Sequence, residues 1–108
     1  MKPELYQLKA LAKLANSDLI KRIYPMVEQI QVFVIERFSP IKTINVIIRL
    51  NDDEITSDNM YEKGFDPHYL VDHHLAKLMG YVGLSSRTNP VEFVVYGPKN
   101  NIISRSGF

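Results

Sequence analysis

Residues 19–38, LIKRIYPMVEQIQVFVIERF, decide the fold because they read in two ways. Leu19, Ile20, Ile23, Val27, Ile30, Val34 and Phe38 lie on one stripe at helical spacing, and the stripe runs straight through Pro25. Proline inside a helix removes a hydrogen bond and clashes with the preceding turn, at a cost of about 3 kcal/mol, so a continuous helix must kink over 20–24. The competing reading ends the helix at Tyr24 and makes 29–37 a strand, on the β preference of Val32, Phe33, Val34 and Ile35. Alternation would then set Ile30, Val32, Val34 and Glu36 on one side and Gln31, Phe33, Ile35 and Arg37 on the other. That separates polarity poorly, and the helical stripe separates it well, so the pattern favours a kinked helix ending at Ser39 and Pro40.

Upstream, Leu5, Leu8, Leu11, Ala12 and Ala15 recur at helical spacing behind Pro3, and the polar break Asn16, Ser17 and Asp18 offers a cap for the next helix. The short connection predicts an αα-hairpin. Downstream, 41–50 alternates as a strand, with Ile44, Val46, Ile48 and Leu50 on one face and Thr43, Asn45, Ile47 and Arg49 on the other. Residues 51–66 have no sustained period and are acidic, which predicts a solvated, mobile loop with at most a short strand over 54–56. Phe65, Asp66 and Pro67 together signal a helix start, since Asp caps and Pro fits the first helical position. That helix carries Leu70, Val71, Leu75, Leu78 and Met79 to a stop at Gly80 or Gly83. Residues 91–96 and 101–105 flank Gly97-Pro98-Lys99-Asn100 as a terminal hairpin.

The expected fold is α+β, a single domain over 1–108. An N-terminal αα-hairpin and a third helix cover one face of a small mixed sheet of three main strands. The strands before and after the third helix are expected to be parallel neighbours, with the hairpin adding an antiparallel edge.

Composition narrows the chemistry. The 108 residues include no Cys, which excludes disulfides, thiol catalysis and Cys-ligated metals. With 13 Lys or Arg against 12 Asp or Glu, the net charge of +1 gives no global attraction to nucleic acid or anionic lipid. The charges segregate along the chain: residues 1–50 carry eight basic and four acidic side chains, 51–72 one and seven, and 73–108 four and one. No apolar run approaches the roughly 18–20 residues that span a bilayer, so a soluble cytoplasmic protein without membrane contact is expected.

All three His lie in 66–74, the one concentration of acid-base or metal-capable groups. His68 and Asp72 stand one helical turn apart, His73 points away from the apolar arc and His74 lies on it. The candidates for catalysis are therefore His68, Asp72 and His73. His68 and Asp72 are at best a weak metal pair, because ligands must converge and the His-Glu-x-x-His pattern is absent. A surface pair beside a boundary His accounts for the same spacing. The acidic segment lacks the calcium-loop pattern, which would need Gly where Ser57 stands and Glu where Lys63 stands. The glycines around Tyr81 lack the Lys and Ser or Thr of a phosphate loop. Arg87, Lys99 and Arg105 are the cations for a nucleic-acid surface, with no accompanying recognition motif. No motif calls for a cofactor.

The remaining feature is an apolar surplus: Val32, Phe33 and Ile35 on the second helix, and Ile47, Val94, Tyr96 and Ile103 on the second sheet face. A small sheet with an uncovered face most often buries it in a symmetric pair. The expected function is a non-enzymatic protein-interaction module, homo-oligomeric, contacting its partner through Phe33, Ile47, Val94, Tyr96 and Ile103 and using the acidic loop for selectivity. The alternative is a small acid-base or metal-assisted hydrolase centred on His68, Asp72 and His73; nucleic-acid binding is the weaker third.

Overall fold

The computed structural model describes residues 2–35 and 42–106. Two N-terminal helices, α1 (Leu5–Ala15) and α2 (Asp18–Ile23), lead into strands β1 (Val27–Val34) and β2 (Ile44–Leu50). A helical rod, α3, follows as Pro67–Tyr69, a wide π-turn Leu70–Leu75, and Ala76–Tyr81, and the chain closes with β3 (Val91–Tyr96) and β4 (Ile102–Arg105). The sheet order is β1-β2-β3-β4, with antiparallel, parallel and antiparallel pairings in turn. The fold class is α+β, as the alternation of patterns predicts, and the parallel pair does flank α3. The sheet has four strands where three are expected.

The extra strand comes from the stretch that reads two ways. Helix α2 stops at Ile23, Tyr24 donates its N–H to the Ile20 carbonyl, and after Pro25 the chain enters β1 instead of bending as a helix. Val32, Phe33 and Ile35 therefore belong to the β1 segment, not to a second helix. The expected helix end at Ser39 and Pro40, with Phe38 of the stripe, lies outside the described residues. The reason for the ambiguity is a bulge: Val27 pairs with Leu50 and Gln29 with Arg49, so Glu28 is the extra residue. Val27 and Ile30, three apart, both end up buried, which imitates a helical spacing.

A second bulge corrects another expectation. Val95 pairs with Ser104 and Tyr96 with Ile102, so Ile103 is unpaired in the ladder, and it turns into the core with 5% exposure. It does not share the second sheet face. One core cluster joins Ile44, Val46, Ile48, Leu50, Phe93 and Val95 of the sheet to Leu8, Leu11, Leu70, Leu75 and Met79 of the helices. Helix α1 packs on β1 and touches the last part of α3. The helices thus occupy one side of the sheet and leave the other open.

Local chemistry fixes the helix ends. Gln7 accepts from the Glu4 N–H at 2.9 Å and donates to the Val82 carbonyl at 3.0 Å, so one side chain ties the start of α1 to the end of α3. Asp66 caps α3 by accepting from the Tyr69 N–H at 3.2 Å, with Pro67 in the first turn. At the other end Leu84 donates to the Met79 carbonyl at 2.8 Å across Gly83, whose φ of +79° is the left-handed closing residue. The 51–66 segment is not a free loop. It is a run of turns pinned by buried Ile55, Met60 and Phe65, with Asn59 accepting from the Thr56 N–H at 2.7 Å and donating to the Glu54 carbonyl at 2.9 Å. It adds no strand. Among the described residues no helix is long and apolar enough to cross a membrane.

Candidate interaction surface

Side chains alternate across a sheet, so the strand register lays out the open face as a grid. One row reads Phe33, Asn45, Glu92 across β1, β2 and β3; the next reads Gln31, Ile47, Val94, Arg105 across all four strands; the third reads Gln29, Arg49, Tyr96, Ile102. Ile47 and Val94 form the middle, only partly covered by their neighbours, and Phe33 (37% exposed) and Ile35 (42%) continue the apolar area toward the β1 end. Between Phe33, Ile47, Val94 and Arg105 lies a shallow depression of about 540 Å³. Ile102 adds another exposed apolar side chain at the β4 edge.

Arg49 and Gln31 of this grid are held in place. The Arg49 guanidinium lies 5.2 Å from the centre of the Tyr96 ring, Nε donates to Gln31 Oε1 at 3.3 Å, and Nη1 donates to Asn100 Oδ1 at 3.2 Å. Asn100 reaches it from the β3–β4 turn, where its φ of +62° is one that Asn tolerates better than most residues. The face therefore combines an apolar centre with fixed donors and acceptors, two arginines and one glutamate.

The His segment behaves differently. The His68 ring meets the buried Phe93 ring edge-on at 5.0 Å, and no hydrogen bond or ion pair joins it to Asp72. His73 stacks on Tyr69 at 4.6 Å, and His74 stands edge-on to both His73 (5.1 Å) and the buried Tyr24 (5.5 Å). Burial holds the His74 pKa below its ordinary 6.5, helped by His73 and Lys77. Tyr24 is pushed up by burial and then by Asp66 and Tyr69. The π-turn thus builds an aromatic cluster, and His68, Asp72 and His73 are not brought to one point. Among the described residues no three His, Asp or Glu side chains converge as a metal site.

The proposed nucleic-acid cations also separate. Arg87 precedes the start of β3 and Lys99 follows its end, so they lie at opposite ends of a strand roughly 20 Å long. Asn16 and Arg49, which organise the sheet edge and surface, carry no local signal that marks them as site residues. Their partners Ile30, Gln31 and Asn100 lie 14 to 51 positions away, beyond the reach of any local pattern.

Fold and surface together define a small α+β domain with a one-sided mixed sheet. Comparison with protein-family models, curated proteins and solved structures gives no match.

Proposed function

We propose that the chain is a non-enzymatic interaction module that pairs with a second copy of itself, open sheet face against open sheet face. The observation that carries this reading is that the grid complements itself. A two-fold axis parallel to the strands, between β2 and β3, exchanges β1 with β4 and β2 with β3. It lays Ile47 opposite the partner's Val94, Arg49 opposite the partner's Tyr96, Gln31 opposite the partner's Arg105 and Asn45 opposite the partner's Glu92. In these four pairs apolar meets apolar, cation meets ring and acceptor meets donor; Gln29 falls opposite the partner's Ile102, and Phe33 has no counterpart among the described residues of β4. Three rows on four strands cover roughly 20 by 20 Å, which with side-chain relief approaches the roughly 600 Å² per partner at the lower end of specific interfaces. The acidic side chains of the 51–66 segment supply a charge that discriminates among other contacts.

Sedimentation equilibrium from about 1 to 100 µM tests the pairing, and a dimer is expected in that range. Ile47→Asp and Val94→Asp are each expected to give a monomer with an unchanged far-UV spectrum. Because the chain has no Cys, Ile47→Cys and Val94→Cys are unique thiols; mixed together they should oxidise to the 47–94 heterodimer in preference to either self-linked product. A wild-type monomer at the top concentration refutes the reading.

A further inference from the structure

The free edge of β1 is a second surface, independent of the open face. In an antiparallel pair the N–H and C=O of alternate residues point toward the neighbouring strand, and those between point away. Two observations fix which residues of β1 point away. Ile30 gives both of its groups to Asn16: its N–H donates to Oδ1 at 2.8 Å and its carbonyl accepts from Nδ2 at 2.8 Å. Ile44, opposite Val34, donates its N–H to the Pro90 carbonyl at 2.8 Å on the β3 side and not to Val34. Ile30, Val32 and Val34 therefore all direct their backbone groups outward from the end of the sheet. At Ile30 the Asn16 amide fills the edge. At Val32 and Val34 no described residue does.

Beside this open stretch lies a groove of about 530 Å³, walled by Pro3, Leu5, Leu8 and Ala12 on the α1 side, where the charged Lys2, Glu4 and Lys9 also line it, and by Val32, Phe33 and Val34 on the other. A row of unpaired peptide groups next to a helix wall with Leu5, Leu8 and Ala12 in it matches an added strand, since the main chain supplies the hydrogen bonds and alternate side chains reach the apolar part of the groove. Asn16 shows the chemistry directly. Its carboxamide presents one donor and one acceptor to Ile30, as a peptide unit of a neighbouring strand would.

We infer that the β1 edge at Val32 and Val34 docks an extended peptide segment of another polypeptide, which joins the sheet as a fifth strand with apolar residues at alternate positions and no Pro at the pairing positions. A second copy is the poorer occupant. Edge-to-edge pairing of two copies would bring the α1 that flanks the Val32 and Val34 edge up against its own mate. A single slender chain meets no such obstacle.

Amide hydrogen exchange on the full ¹⁵N-labelled chain tests this with a blocked hexapeptide, acetyl-Thr-Val-Thr-Val-Thr-Val-amide, as probe. At millimolar peptide the Val32 and Val34 amides should slow by about tenfold or more, and Gln31 and Phe33, already facing β2, should not change. The same peptide N-methylated at alternate residues should have no effect. In Asn16→Ala the protected set should extend to Ile30 and the affinity rise by roughly tenfold, from the two hydrogen bonds released. If that variant fails to fold, the wild-type exchange and the N-methyl control decide alone. The inference is overturned by unaltered exchange at Val32 and Val34, by equal protection from the N-methylated peptide, or by protection that appears without peptide and grows with protein concentration, which assigns the edge to a second copy. None of these outcomes depends on whether the open face self-associates, because Ile47→Asp leaves the edge intact.

Discussion

Replacing Asn16 by Ala removes three hydrogen bonds at once: Nδ2 to the Ala12 carbonyl at 2.7 Å, Nδ2 to the Ile30 carbonyl at 2.8 Å, and the Ile30 N–H to Oδ1 at 2.8 Å. A neutral intramolecular hydrogen bond contributes about 0.5–1.5 kcal/mol net, and the half-buried setting lets water recover part of what is lost. The expected destabilisation is about 2 kcal/mol, well inside the roughly 5–15 kcal/mol available to a domain of this size, so the variant should still fold. Urea unfolding followed by circular dichroism reads the change as a midpoint lowered by about 1–2 M with an unaltered slope, for a slope of about 1–2 kcal/mol per molar. Asn16→Asp sharpens the reasoning. It keeps an acceptor for the Ile30 N–H but sets a carboxylate oxygen against the two carbonyls, and should cost at least as much as the Ala variant. A loss below about 0.5 kcal/mol for Asn16→Ala would mean that the amide does not hold the β1 edge, and would refute the account of how that edge is terminated.

Gly83 and Gly64 have nearly the same positive φ, +79° and +81°, but a Cβ at Gly83 would meet Gln7 Nε2 at 3.2 Å and one at Gly64 would meet nothing within 4 Å. Gly64→Ala should cost about 1 kcal/mol and Gly83→Ala more, by the amount needed to move Gln7 off the Val82 carbonyl; thermal melts of the two variants make the comparison, and equal losses would dismiss the Gln7 tie. His74 has its pKa lowered in the folded chain, so the unfolded chain takes up its proton first as acid is added. Its contribution to stability should be complete above the ordinary value of 6.5 and decline as pH falls through that value toward the lower folded one. His74→Gln should flatten this part of a stability curve measured from about pH 8 to 5, and an unchanged curve would show that His74 is not the group responsible.

How far the sequence discloses the fold depends on where pairing partners lie. Asp66 and Pro67 announce α3 because capping is a contact between near neighbours, and the clean alternation of 44–50 marks β2 because Asn45 and Arg49 sit opposite buried aliphatics. The β1 strand is hidden for two physical reasons. The bulge at Glu28 puts Val27 and Ile30 on the same side at a helical interval, and the far side of the strand is itself apolar at Phe33 and Ile35 because it belongs to the open face. Leu19 and Ile23, which complete the apparent helical stripe, are 64% and 43% exposed while Ile20, Val27 and Ile30 are buried, so the stripe is not one continuous buried surface. Of the surface residues read from the sequence, Phe33, Ile47, Val94 and Tyr96 do share one side of the sheet, and Ile103 leaves it through the β4 irregularity. The His segment shows the opposite limit: spacing suggests that His68 and Asp72 meet, but the neighbouring rings of Phe93 and Tyr69 and the π-turn decide where the imidazoles go.

The order of the sheet also bears on how the chain reaches its native state. Its outer pairs, β1 with β2 and β3 with β4, join strands that are close in sequence, and the central parallel seam joins Ile44 to Val91, 47 positions apart. Local hairpins form by short searches, but that seam must wait for the closure of one long loop and the formation of α3 within it, which concentrates the entropic barrier of folding in the middle of the sheet. Until it closes, the nascent chain displays two additional bare strand margins, Ile44 to Arg49 and Val91 to Tyr96, both rich in β-branched residues. Misassembly during synthesis is therefore governed by the lifetime of this one unmade join.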